Sequence, residues 1–390
     1  MRKRKKKEGM DKKILEKAQS NLAIFDSLVK ADSVINNPKY KSIICSISGG
    51  ADSDVMMDLI YKVDTDKKVK YVFIDTGLEY EATKKQIEYL EEKYNVEIIK
   101  EKAIKPIPLA VKESGLPFVS KYVSEQIRRL QAVDFKWENK TFEELQAEYP
   151  SKVNSALKWW CNQYEGYNYN ISMNKWLKEF LIKNPPQFKI SSYCCKYAKK
   201  DTAKAVKEKY NADLMIVGVR KAEGGIRALA YESCFSEGKT AEYRPLFWYK
   251  DEDRAEYEKI FKIKHSDCYK KYKLKRTGCV SCPFGGKEID TELKVVKKYE
   301  PKLYTACCNI FGQAHDYYRA YREFIDDCEF KVKWGIKMYW KDYVITKDGI
   351  DWVVEQNGEI IYRGIDAKDC QSYIGLEVRG RKDNGKMWEL

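Results

Sequence analysis

The residues best suited to chemistry form a glycine turn, Ser48-Gly49-Gly50-Ala51-Asp52-Ser53. It follows the apolar run 42–47 and precedes an amphipathic stretch, which predicts the order strand, turn, helix. At such a junction backbone N–H groups and the positive end of the helix dipole face outward, and glycines let a polyanion approach the main chain. The turn therefore predicts a phosphate-binding loop. The alternative is a turn capped by Asp52 or Ser53, which is common at helix starts.

Further polar residues follow two other predicted strands. The apolar run 70–74 leads into Asp75-Thr76-Gly77, and the run 213–219 leads into Arg220 and Arg227. Strands that alternate with helices indicate a parallel sheet, whose ligands bind beyond the carboxyl ends of its strands. Two arginines at such an end suit a second anionic group.

The motifs S-G-G-x-D-S, F-I-D-T-G-L-E-Y-x-x-T and G-V-R-K-A-E-G-G-I-R-A occur in this order along the chain. As a set, from about residue 41 to 286, they resemble the phosphoadenylyl-sulfate (PAPS) reductase family of the PP-loop adenine-nucleotide alpha-hydrolase enzymes. The resemblance implies an adenylyl nucleotide at the first loop and the Asp75 region, with Mg²⁺ as a candidate companion ion. It also implies that Arg220 and Arg227 hold the sulfate or phosphate. Many relatives have lysine where this chain has Ala51, so backbone amides or other basic residues must meet the phosphate charge.

Six of the twelve cysteines occur as three close pairs. We expect Cys307-Cys308, in a tyrosine-rich helical stretch, to fill a core, and the other two pairs are Cys194-Cys195 and the C-x-x-C of Cys279 and Cys282. The pattern resembles the four-cysteine set that holds a [4Fe–4S] cluster in adenylyl-sulfate (APS) reductases. In that family a lysine four residues after the vicinal pair lies near cluster and substrate, and here that position is Lys199. A structural zinc site, or buried cysteines beside an unrelated redox pair, are the alternatives.

The family's reductases also end in a flexible E-C-G-[IL]-H tail, whose cysteine attacks the sulfur of the nucleotide. This sequence ends in Gly-Lys-Met-Trp-Glu-Leu and contains no such motif. The resemblance to the family therefore does not extend to its usual nucleophile, and a second type of reaction stays open.

The chain is strongly basic, with 73 lysines and arginines against 59 acidic residues and a net charge of +14. One small nucleotide does not require this excess, which points to DNA or RNA as a partner. The start, 1–7, contributes six charges, and 14 − 6 leaves +8. Lysines interleave with aromatics in 269–276 and 331–341, as in nucleic-acid sites, but core-facing aromatics with solvent-facing lysines give the same pattern.

The length of 390 residues predicts more than one domain. We expect a basic tail and a helix over 1–40, then a PP-loop domain over 41–328. Within that domain we expect a helical insertion at about 126–188 and a cysteine-rich segment at 264–286. Alternating residues and Asp-Gly and Asn-Gly turns predict a β-rich accessory module over 329–390. The expected fold class is α/β: a parallel sheet with flanking helices, a helical insertion and a small β-rich C-terminal module.

The sequence contains no apolar run long enough to span a membrane and no secretion signal at its start. Twelve cysteines without such a signal predict a reducing, cytoplasmic location, where thiols stay free for metal, and no membrane partner.

Three functional classes remain open. The first reduces APS or PAPS to sulfite and needs an electron donor. The second is ATP-dependent sulfur insertion into nucleic acid with sulfur from a cysteine desulfurase, similar to the cluster-bearing member of the bacterial DNA phosphorothioation systems. The third is a nucleotide-gated regulator that binds nucleic acid without turnover. An adenylyl nucleotide is common to all three.

Overall fold

The computed structural model describes residues 11–224, 230–275, 277–333, 338–340, 343–348, 351–356, 359–364, 369–370 and 373. The chain divides into two compact units. The first comprises Met1–Ser114 and Tyr193–Phe311, and the second comprises Gly115–Ser192 and Gly312–Leu390.

The first unit contains a six-stranded sheet in the order β3-β2-β1-β4-β6-β5. Its strands are β1 (Ile43–Ile47), β2 (Val69–Asp75), β3 (Ile98–Lys102), β4 (Leu214–Ile216), β5 (Phe235–Ser236) and β6 (Ala241–Tyr243). All neighbours are parallel except β5, which runs antiparallel to β6. The chain proceeds from β1 to β2 and β3 on one side, whereas β4 lies on the other. The carboxyl end of β1 is therefore a topological switch point, where α/β sheets bind ligands.

The helices of the first unit connect and flank these strands. They are α1 (Lys12–Ala18), α2 (Leu22–Ile35), α3 (Ala51–Val63), α4 (Glu81–Tyr94), α5 (Ile107–Ser114), α10 (Tyr193–Cys195), α11 (Thr202–Lys209), α12 (Asp251–Phe261), α13 (Asp267–Lys270) and α14 (Ile289–Tyr299). A π-helical segment, Lys196–Asp201, joins α10 to α11. Short 3₁₀ turns occupy Lys221–Glu223 and Pro283–Glu288.

Central strand β1 and helix α3 form the middle of the first core. Ile43, Cys45 and Ile47 are buried, and α3 places Val55 and Leu59 in the same cluster. Burial of apolar surface on both faces explains why β1 is a continuous apolar run. The core thus fixes β1 and α3, and the turn between them is held at both ends.

The second unit contains helices and a separate antiparallel sheet. Its helices are α6 (Lys121–Gln131), α7 (Phe142–Glu148), α8 (Asn154–Trp160) and α9 (Leu177–Lys183), with 3₁₀ turns Ser151–Val153, Tyr167–Tyr169 and Ile171–Met173. The sheet has the order β10-β9-β8-β7, from β7 (Met338–Trp340), β8 (Tyr343–Asp348), β9 (Asp351–Gln356) and β10 (Glu359–Gly364). Helix α15 spans Pro301–Lys333. Trp159 and Trp160 are fully buried, so these aromatics of the insertion pack a core.

The predicted fold class is confirmed: a mostly parallel sheet with flanking helices, helices within the insertion and a β-rich C-terminal part. One detail differs near the start, where two helices replace the single expected one. The side chain of Asn21 accepts a hydrogen bond from the N–H of Ile24 at 3.1 Å. This bond caps α2, so a new helix begins after α1 ends. No helix among the described residues is long and apolar enough to cross a membrane.

Candidate nucleotide and cysteine site

The glycine turn of residues 48–53 links β1 to α3. Gly49 has φ +66°, and a Cβ there would lie 2.8 Å from Cγ2 of Thr83, so both conformation and space require glycine. The N–H of Ser48 donates to Oγ of Ser53 at 2.9 Å and closes the turn. Gly50 is the N-cap of α3 and offers no side-chain cap to the first turn. Ser53 therefore closes the loop instead of capping the helix.

A tyrosine from a distant segment reaches the same turn. The N–H of Ala51 donates to Oη of Tyr269 at 3.0 Å, and this hydroxyl lies 3.3 Å from Oγ1 of Thr277. A Cβ on Gly50 would lie 3.2 Å from Oγ1 of Thr277 and 3.4 Å from Oη of Tyr269. Sequence analysis missed both residues, because no motif marks a loop contact made 218 positions away.

Asp52 is held by two arginines. Its Oδ1 accepts from Nε of Arg220 at 2.8 Å and from Nη1 of Arg254 at 3.1 Å. Arg220 is 5% exposed and also donates from Nη1 to Asp251 at 2.9 Å. Arg220 therefore contacts the glycine turn through the carboxylate of Asp52, and its predicted contact with an anion stays a prediction. Arg227 lies outside the described residues.

A buried carboxylate and a histidine lie beneath the loop. Asp54 is fully buried and accepts at Oδ2 from Gln86 at 3.1 Å, and the same oxygen is 2.9 Å from Nδ1 of His265. Burial raises the pKa of Asp54 to about 6, although the hydrogen bond with His265 opposes the shift. Burial lowers the pKa of His265, but its contacts with Asp54 and Glu258 outweigh this and raise it to about 9. Near neutral pH the two side chains form an ion pair.

The turn after β2 is arranged by its own side chains. Oδ1 of Asp75 accepts from the N–H of Gly77 at 2.9 Å, and Oε1 of Glu79 accepts from the N–H of Thr76 at 3.0 Å. Gly77 has φ +82°, and a Cβ there would lie 3.0 Å from Cβ of Pro106. Burial raises the pKa of Glu79 above its ordinary range. Glu79 is thus a structural residue of this loop that sequence analysis did not single out.

The cysteines lie on two segments of the first unit. Cys194 and Cys195 are in α10, which continues into the π-helical segment that carries Lys199. π-helical turns are rare and occur frequently at functional sites. Between Cys279 and Cys282, the N–H of Val280 donates to the carbonyl of Leu78 at 3.2 Å. The C-x-x-C is thereby attached to the loop that follows β2.

Charge effects show that the two pairs of thiols are neighbours. The pKa of Cys194 is raised by its hydrogen bond with Cys195, by burial and by the charges of Cys282 and Cys279. Burial, followed by the charge of Cys279, raises the pKa of Cys282 to about 12. Burial would lower the pKa of Lys199, but the charges of Cys279 and Cys195 outweigh it and raise the value. Four thiols and one ammonium group therefore share one electrostatic environment.

Four thiols are the ligands that iron–sulfur clusters and structural zinc use, so this donor set fits either group in kind. In the part of the chain that the structure describes, no three His, Cys, Asp or Glu side chains already stand in metal-holding geometry.

The parallel sheet and the glycine turn at the end of its central strand are the arrangement of PP-loop nucleotide-binding proteins. Within this class, residues 42–131 match the phosphoadenosine phosphosulfate reductase domain. The matched residues include two of the motifs that predicted this family, the glycine turn and the Asp75 region.

One curated relative is the uncharacterized protein MJ0066 of Methanocaldococcus jannaschii, which is 40% identical over 77 residues. The match covers 20% of this chain and only 16% of that protein. The chain thus spans less than a fifth of the length of this relative.

Solved structures of similar backbone arrangement include three enzymes. PAPS reductase from Candida auris, in a phosphate complex, has a TM-score of 0.33 at 12% identity and covers 66% of this chain and 89% of its own. NH3-dependent NAD synthetase from Campylobacter jejuni has a TM-score of 0.32 at 11% identity and covers 76% of this chain and 94% of its own. U34-tRNA thiolase NcsA from Methanococcus maripaludis, with its [4Fe-4S] cluster, has a TM-score of 0.33 at 11% identity and covers 78% of this chain and 79% of its own. TM-scores and sequence identities this low support no statement about the activity of this chain.

Proposed function

We propose that this chain is an enzyme that binds an adenylyl nucleotide at residues 48–53 and acts on it beside the four-thiol site, in sulfonucleotide reduction. One observation carries the proposal: the segment that bears the C-x-x-C reaches both loops of the nucleotide site. Val280 is hydrogen-bonded to Leu78 after β2, and Thr277 lies against Gly50 in the glycine turn. A nucleotide bound across the two loops would lie next to the thiols.

The residues of the glycine turn would hold the phosphates through their backbone amides. The dipole of α3 favours negative charge at this end, and it would offset the charge that the α-phosphate oxygen gains when its bond to sulfur breaks. Asp75, Thr76 and Gly77 would border the nucleoside, and Mg²⁺ would accompany a triphosphate. Lys199 would place its charge between thiols and substrate, and Arg227 would reach the sulfate or phosphate.

Cys194, Cys195, Cys279 and Cys282 are the residues that would hold a [4Fe–4S] cluster. Such a cluster would transfer electrons one at a time when bound, and reduction of a sulfonucleotide to sulfite would take two electrons from an external electron donor. Zinc at the same thiols would instead be a structural cross-link.

A second candidate is ATP-dependent sulfur insertion into DNA or RNA. Two observations favour it. The net charge of +14 exceeds the requirement of one nucleotide. The guanidinium of Arg220 is already bonded to Asp52 and Asp251, which suits a role in positioning the loop better than a direct grip on sulfate.

The deciding experiment uses full-length protein purified without oxygen. It measures sulfite released from APS and PAPS with a reduced electron donor, and pyrophosphate released from ATP with and without DNA or RNA. Sulfite release supports the first candidate, and pyrophosphate release that depends on nucleic acid supports the second. Nucleotide binding without either product would overturn both enzymatic candidates in favour of a regulator. Absence of binding by ATP, APS and PAPS would overturn the nucleotide site itself.

A further inference from the structure

The first turn of α3 receives a phenol hydroxyl at the place where a phosphate oxygen would be expected. The N–H of Ala51 points at Oη of Tyr269, 3.0 Å away. Amides at the start of a helix are well suited to anionic oxygen atoms, and a hydroxyl oxygen is a neutral substitute. The position of Oη therefore marks where this amide would meet a ligand.

Tyr269 is held in place by its own segment. Its N–H donates to the carbonyl of Ser266 at 3.0 Å, and its ring meets the ring of His265 edge-on with centroids 5.8 Å apart. Burial raises the pKa of Tyr269, so the hydroxyl keeps its proton near neutral pH. A hydroxyl that accepts from Ala51 still has a proton to donate, and Oγ1 of Thr277 at 3.3 Å is within its reach.

We propose that Tyr269 is a phosphate-contact residue of the nucleotide site, with Thr277 as its positioning partner. An arriving phosphate oxygen takes the N–H of Ala51, and the hydroxyl of Tyr269 turns its proton from Thr277 to that oxygen. This inference rests on the proposed nucleotide site and extends it to a segment outside the glycine turn. It also identifies a donor in a chain whose loop carries Ala51 and no lysine.

The same contact joins nucleotide and cysteines. Thr277 precedes Cys279 by two positions, and Tyr269 and Thr277 both lie against the glycine turn. A phosphate that moves the hydroxyl of Tyr269 thus acts directly on the segment that carries the C-x-x-C.

The test compares Tyr269→Phe with the matched variant Tyr272→Phe. Each variant removes one phenol hydroxyl from the same segment, but Tyr272 donates to Glu300 at 2.9 Å, away from the glycine turn. Affinity is measured by calorimetry for ATP and APS, and for adenosine, which has no phosphate. A hydrogen bond to a charged group is worth about tenfold in affinity.

We expect Tyr269→Phe to bind ATP and APS about tenfold more weakly than wild type and adenosine equally well. Tyr272→Phe should retain wild-type affinity for all three. An unchanged or tighter affinity of Tyr269→Phe for ATP and APS would overturn the inference, and tighter binding would mean that the hydroxyl only competes with phosphate. Equal losses for adenosine would show a structural role and also overturn it.

Thr277→Val provides a second variant should Tyr269→Phe fold poorly, and a loss specific to ATP and APS is expected there too. If wild type binds none of the probes, the proposed function fails and the inference with it. If wild type binds and both variants match it, only the inference fails.

Discussion

The carboxylate of Asp52 shows how single residues set the character of this site. Arg220 and Arg254 both bond to Oδ1 of Asp52, so two positive charges stand at the start of α3 although the loop has no lysine. Arg254 could not be predicted from the sequence, since it belongs to a helix whose charged residues look like an ordinary solvated face. The place of Asp52 at the start of α3 was predicted, because a glycine turn before an amphipathic helix specifies it, whereas its role toward a nucleotide stays a prediction.

Gly49 provides a prediction at this scale. We expect Gly49→Ala to lower the free energy of unfolding by about 1–3 kcal/mol, because alanine would be strained in the left-handed backbone conformation of this position. The contact of the new methyl group with Thr83, at 2.8 Å, should lower it further and weaken nucleotide binding. Urea unfolding and calorimetry measure the two effects.

Gly224→Ala is the control for stability, because Gly224 also has a positive φ, +68°, but a Cβ there would meet nothing within 4 Å. If Gly49→Ala lost no more stability than the about 1–3 kcal/mol expected from the backbone alone, the tight approach of α4 to the loop would be refuted.

The Asp54 and His265 pair predicts how stability depends on pH. The pKa of His265 is raised from 6.5 to about 9, so its stabilising effect is complete below pH 6.5 and is lost as pH rises through about 9. The pKa of Asp54 is raised from 3.8 to about 6. Its contribution to the free energy of unfolding is therefore complete below pH 3.8 and is lost as pH rises through about 6. Charged neighbours of the pair include Glu258, Arg254 and Lys93. The free energy of unfolding should therefore fall from pH 6.5 to 9.

The comparison for this prediction is the double variant Asp54→Asn/His265→Asn, which has no titrating group at these positions. Its unfolding free energy, measured by urea titration at each pH, should depend less on pH over the same range. Parallel curves for the two proteins would contradict the ion pair.

At the scale of elements, strands and helices that obey local rules could be predicted from the sequence, whereas distant contacts could not. Strand β1 and helix α3 are predicted by apolar periodicity, and the turn between them is predicted by its glycines. The segment that carries Tyr269 has no comparable pattern, and its contacts span some 200 positions of the chain. Likewise, no hydrophobic periodicity in the sequence predicts the π-helical form of Lys196–Asp201. Partners of a site are set by the packing of whole elements, so one sequence does not reveal them.

The C-x-x-C segment provides a prediction at this scale. Oε1 of Glu292 in α14 accepts from the N–H of Ser281 at 2.9 Å, and the hydroxyl of Tyr80 donates to the same oxygen. We expect Glu292→Ala to free the segment and lower the iron bound per chain by at least about half, because a cluster needs all four thiolates at fixed positions. Metal analysis after anaerobic purification measures the loss.

Glu288→Ala is the matched control. Glu288 is exposed and pairs with Lys275 at 3.3 Å, so its loss should leave the iron content unchanged. Equal iron in Glu292→Ala and wild type would mean that the segment does not depend on this anchor.

At the scale of the whole molecule, the glycine turn, the loop after β2 and the four cysteines belong to one compact unit. The glycine turn, the Asp75 region and the four cysteines that the motifs singled out all lie in this unit, and the chain inserts 115–192 between its two parts. Parallel sheets tolerate such insertions because their loops lie at the surface. The second unit combines helices with an antiparallel sheet, and alternation with Asp-Gly and Asn-Gly turns was sufficient to predict that sheet.

We propose that Cys194, Cys195, Cys279 and Cys282 hold a [4Fe–4S] cluster beside the nucleotide site. The amount of iron, zinc and acid-labile sulfide per chain, in protein purified without oxygen, tests this assignment. We predict about four irons and about four sulfides per chain, with both lost when Cys194 and Cys279 are replaced by serine. About one zinc per chain without sulfide would contradict the claim and make the four thiols a structural cross-link.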